Sequence, residues 1–236
     1  RNRWDNAIVV ASFVPSLLWG VAFANIARGV PLEKSSQGFI EYTGGFFNLL
    51  NPFALVGGLV TLTLFATHGA FFIALKTDGV VRERANRLAG KLGLATALLA
   101  VVFLGWLNLS YSDKTSVVIL SAVIVVAWLS ALEANRRGRE GWAFLFSAVT
   151  SAMVVVTLFA ALYPYVMPSS ISPEFSLDIF NASSTHYTLK VMTYVAVVLT
   201  PLVLIYQGWT YWVFRKRISP SQIKNAESGV LDQINN

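Results

Sequence analysis

PFALVGGLVTLTLFATHGAFFIAL, residues 52–75, carries one ionisable side chain, His68, in 24 positions. A helix rises about 1.5 Å per residue, so a hydrocarbon core of about 30 Å takes roughly 20 apolar residues to cross. This stretch is long enough. Inside lipid every backbone polar group must find its partner within the protein, and an isolated apolar run does so only as a helix. The alternation of polar and apolar positions that marks a membrane β-barrel is absent. Five further stretches read the same way: 6–27, 88–109, 116–134, 141–163 and 189–213. The chain is therefore expected to be all-α, a polytopic transmembrane helix bundle of six spans over residues 1–218. A polar cytoplasmic tail is expected over 219–236.

Composition agrees. Of 236 residues, 55% are hydrophobic and 13% charged, against about 25% charged in soluble chains. The net charge of +6 would suit nucleic acid if it formed one basic surface. The basic residues instead lie in short runs between apolar stretches, which excludes a nucleic-acid partner. The absence of cysteine excludes disulfides, thiolate metal sites, iron–sulfur clusters and cysteine nucleophiles within the chain. The first residues, Arg1-Asn2-Arg3-Trp4, show neither an initiator Met nor the pattern of a signal peptide. The sequence is expected to begin inside a longer protein.

Basic residues orient the spans. One set of span ends holds Arg1, Arg3, Lys76, Arg82, Arg84, Arg87, Lys91, Arg136, Arg137, Arg139, Arg215, Lys216, Arg217 and Lys224, 14 of the 18 Lys and Arg. The other ends hold Arg28, Lys34, Lys114 and Lys190. The excess of Lys and Arg in cytoplasmic loops puts the first set, and both ends of the chain, in the cytoplasm. Two longer loops, 28–51 and 164–188, then lie outside. Pro52 suits a first helical turn, and Ser183, Ser184 and Thr185 offer caps to the last span. Pro15 and Pro201 fall within spans and are expected to kink them. The aromatic run Trp209, Tyr211, Trp212 and Phe214, followed by Arg215-Lys216-Arg217, reads as an interfacial anchor facing anionic lipid.

Lipid gives no hydrophobic drive for helix association, so small residues at close contacts matter. Ala89, Gly93 and Ala97 recur every four positions, as do Ala143, Ser147 and Ser151. Gly57 and Thr61 form a third pair, with His68 further along the same stripe. These stripes predict a bundle.

The distribution of ionisable groups narrows the chemistry. All twelve acidic residues lie at span ends or in loops. A proton-coupled transporter normally carries a carboxylate near the midplane. The Gly/Pro-broken half-helices of such ion sites are also missing. A secondary transporter or channel is thus the rival reading. His68 is the ionisable group well inside a span. A neutral imidazole bonded to a neighbouring helix is its commonest role; a proton relay or quinone contact is the functional one, and heme ligation a third. His186 reads as a surface or capping residue. Two histidines so far apart do not suit a bis-His heme. Lys76, Asp78 and Arg82 suit either a local ion pair or a partner contact.

Three stretches resemble subunit II of cytochrome bd-type quinol oxidases. The first contains Leu18-Trp19-Gly20-Val21-Ala22-Phe23-Ala24-Asn25 and Arg28-Gly29-Val30-Pro31. The second contains Asn51-Pro52-Phe53-Ala54-Leu55, His68-Gly69-Ala70 and Leu75-Lys76-Thr77-Asp78-Gly79. The third contains Asn181-Ala182-Ser183-Ser184, Thr188-Leu189-Lys190-Val191-Met192-Thr193 and Trp209-Thr210-Tyr211-Trp212-Val213-Phe214. The chain looks like the C-terminal two-thirds of such a subunit. The resemblance implies a multi-pass protein of the bacterial cytoplasmic membrane, in a heterodimer with a heme-carrying subunit I. That partner is expected to hold heme b and heme d, oxidise quinol and reduce dioxygen to water. This chain is expected to bind no heme or metal and to supply no catalytic residue. A bound quinone or lipid and a small accessory subunit are further implied partners. His68 is the candidate proton or quinone contact. Asn51, Lys76, Asp78 and Trp19 are candidate contacts with a partner.

Overall fold

The computed structural model describes residues 2–112 and 114–216. Arg1, Asp113 and 217–236 lie outside the described residues, and with them Arg217, Lys224 and the expected tail. Six long helices carry the apolar stretches: α1 (Asn2–Arg28), α3 (Pro52–Lys76), α4 (Val80–Ser110), α5 (Thr115–Arg136), α6 (Glu140–Leu162) and α7 (His186–Val213). Between α1 and α3 stand a hairpin of β1 (Leu32–Lys34) and β2 (Ile40–Tyr42) and a one-turn helix, α2 (Gly45–Asn48). Between α6 and α7 stand β3 (Tyr165–Met167) and β4 (Leu177–Asp178). These short strands are confined to the two long loops and leave the architecture helical.

Local chemistry sets the ends. Asn51 caps α3 by accepting the Ala54 amide at 3.0 Å, ahead of a proline that needs no partner for its nitrogen. Thr185 caps α7 by accepting the Thr188 amide at 3.4 Å. Gly79, at φ 68°, turns the chain from α3 into α4, a backbone region that glycine enters without steric cost. Helix α4 starts at Val80 rather than at 88. Arg82, Glu83, Arg84 and Arg87 are good helix formers and carry the helix beyond its apolar window. Its 31 residues span about 46 Å, more than a hydrocarbon core of about 30 Å. Pro15 and Pro201 both sit inside uninterrupted helices.

Helices α3, α4, α5 and α6 close into a four-helix ring, each packed on the next and α6 back on α3. Helix α1 lies outside the ring against α3. Their approach is set by glycine. A Cβ on Gly20 would run into Thr61 Oγ1 and the Gly57 carbonyl oxygen and fall 2.8 Å from the Gly58 Cα. Thr61 Oγ1 then reaches across to the Ser16 carbonyl at 2.9 Å. The expected Gly57 and Thr61 stripe thus faces α1, where Gly20 and Ala24 complete it. Gly93 meets Leu132 of α5 and accepts the Trp128 indole N–H at 2.9 Å. Ala89, Ala143 and Ser147 are fully buried in the ring.

Two apolar clusters pack the ring and its contact with α1. One gathers Val21, Phe53, Leu104, Leu107, Val117 and Ile124 towards the loop-bearing end. The other gathers Leu64, Phe71, Ala89, Trp128, Ala131 and Ala143 towards the basic end. The two long loops join: Val30 donates to the Pro168 carbonyl at 3.0 Å and Ser170 to the Val30 carbonyl at 2.9 Å. Helix α7 has no buried residue. The Lys76 ammonium links the ring to the far end of α7, donating to the Phe214 carbonyl at 2.8 Å.

Candidate functional site

His68 sits on α3 about two turns from the end marked by Lys76, half-buried against α6. Its ring stacks on Phe144, centroids 4.7 Å apart and planes 24° from parallel. Its Nδ1 lies 2.7 Å from the Ser147 hydroxyl. Ser147 has one hydroxyl proton, and the Phe144 carbonyl accepts it at 2.8 Å. A hydroxyl so engaged receives from a ring N–H through its lone pairs. With the hydroxyl proton on the Phe144 carbonyl, Nδ1 is the N–H donor of this pair; Nε2 has no hydrogen-bond partner among the described residues.

The basic end of the ring carries a polar network. Glu140, 4% exposed, opens α6. Arg82 of α4 reaches its Oε1 through Nη2 at 2.5 Å and through Nε at 2.8 Å. Asn86 Nδ2 donates to the same oxygen at 3.2 Å. Asn135 Nδ2 donates to the Asn86 carbonyl at 3.2 Å. Arg82 thus pairs across helices, where a local pair after the second span was one expectation. Lys76 holds the Phe214 carbonyl, and Asp78 lies half-buried in the turn between α3 and α4.

At the other end, Asn51 and Asn25 form an amide pair. Asn51 Nδ2 donates to Asn25 Oδ1 at 2.7 Å, and Asn25 Nδ2 donates to the carbonyls of Leu49 at 2.7 Å and Val21 at 2.8 Å. Asn51 therefore joins α1 to the start of α3 within the chain. Asn25, 4% exposed, is the member sequence reading passed over. A polar residue among apolar neighbours on one helix was its only signal. Trp19 points outward at 59% exposure, stacked on Phe23 at 5.3 Å. His186 is exposed in the first turn of α7.

Among the described residues no group of three or more His, Asp or Glu side chains is placed to hold a metal ion. His68 and His186 stand near opposite ends of the helices that carry them and do not converge on one porphyrin. The two histidines of this chain do not fit a heme held between them.

Six long apolar helices and a ring with close glycine contacts, whose Lys, Arg, Asp and Glu residues lie towards the helix ends, define a multi-pass helical membrane protein. The family model for cytochrome bd terminal oxidase subunit II matches residues 1–214. The chain is 34% identical to cytochrome bd-I ubiquinol oxidase subunit 2 of Escherichia coli strain K12, over 95% of this chain and 68% of that one. It is 34% identical to a probable cytochrome oxidase subunit 2 of Haemophilus influenzae, over 89% and 64%. It is 31% identical to cytochrome bd ubiquinol oxidase subunit 2 of Bacillus subtilis, over 92% and 64%. The chain belongs to the cytochrome bd terminal oxidase subunit II family.

Proposed function

We propose that this chain is the heme-free subunit of a quinol:dioxygen oxidoreductase complex in the bacterial cytoplasmic membrane. Heme b and heme d, quinol oxidation and the reduction of dioxygen to water belong to its partner, subunit I. The observation that carries the reading is the family match over residues 1–214 joined to a ring that, among the described residues, holds one imidazole along its length and keeps its buried carboxylate, Glu140, at the basic end. Such a body excludes water from the flank of a partner that handles protons and electrons. Low dielectric strengthens electrostatic interactions on that flank. His68 is the chain's own contribution to proton or quinone chemistry, through Nε2. A quinol hydroxyl donates to a bare Nε2, or a proton passes through it. Both ends of the chain face the cytoplasm, and lipid, a quinone and a small accessory subunit are its other partners.

The test is to purify the intact complex, record a reduced-minus-oxidised spectrum, then separate the subunits under mild denaturation and assay each for porphyrin. The expected result is b- and d-type absorbance in the complex and porphyrin only with the partner. Porphyrin that stays with this chain would overturn the assignment.

A further inference from the structure

We propose that a crevice between α4 and α5 is a binding site for one small apolar molecule of the size of xenon or dioxygen. The crevice has a volume of about 130 Å³ and only carbon atoms face it. Leu64, Ile124 and Trp128, each at most 3% exposed, form its floor. Ala97 and Ala100 make the room on the α4 side. Val101 and Leu129, 59% and 53% exposed, flank its mouth on the apolar outer face of the chain.

The polar residues of the lining are turned away from it. Thr96 Oγ1 donates to the Leu92 carbonyl at 2.9 Å, Thr150 Oγ1 to the Phe146 carbonyl at 2.9 Å, and Trp128 Nε1 to the Gly93 carbonyl at 2.9 Å. A water molecule needs two to four polar partners, and this space offers none. An apolar cavity of about 150 Å³ stays dry and accepts benzene or xenon. That size also excludes a lipid acyl chain or an isoprenoid tail lying wholly inside. The loose α4–α5 contact gives the site a lateral mouth, open to the hydrocarbon in which apolar gases dissolve. The naming of dioxygen as the natural occupant rests on the oxidase reading above; the occupancy by an apolar atom does not.

The experiment pressurises the intact complex with xenon and locates the gas by its anomalous scattering. Xenon between Ala100 and Trp128 is the expected result. An ordered water or a lipid chain there, or no xenon at saturating pressure, overturns the site. The second arm is Ala100→Leu, which fills the space. It should abolish xenon binding and raise the KM for dioxygen of the complex several-fold. Xenon binding with an unchanged KM in Ala100→Leu overturns the dioxygen assignment. A complex that consumes no dioxygen at all instead overturns the oxidase reading and leaves the apolar site standing.

Discussion

The imidazole Nδ1 of His68 and the hydroxyl of Ser147 stand 2.7 Å apart across the α3–α6 contact, 79 positions apart in sequence. One seam of the ring is fixed by this bond. The stacking of His68 on Phe144, three positions before Ser147, orients the ring from a second direction. Replacing Ser147 by Ala removes the hydroxyl and leaves Nδ1 facing carbon. Hydrogen bonds between membrane helices contribute about 0.6 kcal/mol on average and at most about 2. Ser147→Ala is therefore expected to destabilise the chain by about 1 kcal/mol, read as a small loss in thermal stability of the complex.

His68→Phe keeps the aromatic stack and removes both nitrogens. Assembly should survive and the heme spectrum should change little if heme ligation lies in the partner, as proposed above. If Nε2 serves a proton or a quinol, turnover falls while the spectrum holds. Disappearance of one heme band in the variant would instead make His68 an axial ligand.

Arg82 and Glu140 close the basic end of the ring. Breaking a fully buried ion pair costs about 3–5 kcal/mol. Here the Arg82 side chain is 37% exposed and Glu140 5%, so water screens one member and the coupling is expected near 2 kcal/mol. A double-mutant cycle of Arg82→Ala and Glu140→Ala, read by unfolding of the complex in denaturing detergent, measures it. A coupling indistinguishable from zero would show that the pair only marks the helix ends.

The spans were legible because lipid leaves one solution for an apolar run of that length, and 52–75 sufficed to establish it. The polar links were not legible, because their members are far apart in sequence. Arg82 finds Glu140 58 positions on, and Asn25 finds Asn51 26 positions on. Composition holds no trace of either pairing. Lys114 is instructive. It counted only as a minor basic residue on the expected outer side. In the fold its ammonium donates to the carbonyls of Ala160, Ala161 and Tyr163 at 2.5–3.1 Å. It satisfies the orphan acceptors at the C-terminal end of α6, where the helix dipole favours a cation. A charge read for topology is explained by a cap. Helix α4 shows the converse: its charged first turns continued the helix where hydropathy had ended the span.

Gly20 and Gly105 allow a paired test of close packing. A Cβ on Gly20 meets Thr61 and the Gly57 and Gly58 backbones, whereas one on Gly105 meets nothing within 4 Å. Backbone atoms do not move aside as a side-chain tip does. Gly20→Ala is expected to push α1 off α3 and cost about 2 kcal/mol or more, in the range of overpacked cores. Gly105→Ala should be neutral or raise stability by up to about 1 kcal/mol through helix propensity. Yield and thermal stability of the two complexes compare them directly, and equal behaviour would refute the glycine contact as the determinant of the α1–α3 approach.

The orientation proposed from the basic residues can be tested by cysteine labelling, because residues 1–236 hold no cysteine to compete with an introduced one. Ser36, exposed in the turn of the β1–β2 hairpin, and Arg137, exposed between α5 and α6, lie at opposite ends of the helices. Arg137 has an exposed ion pair with Glu133 at 2.6 Å, and a solvent-screened pair of this kind adds little to stability, so both positions tolerate replacement. With cytoplasmic termini, Ser36→Cys should react with a membrane-impermeant maleimide added to intact spheroplasts. Arg137→Cys should react only after the membrane is opened. The reverse pattern would invert the topology. It would also move the Arg82–Glu140 network to the outer face, and with it the side from which a proton reaching His68 would have to come.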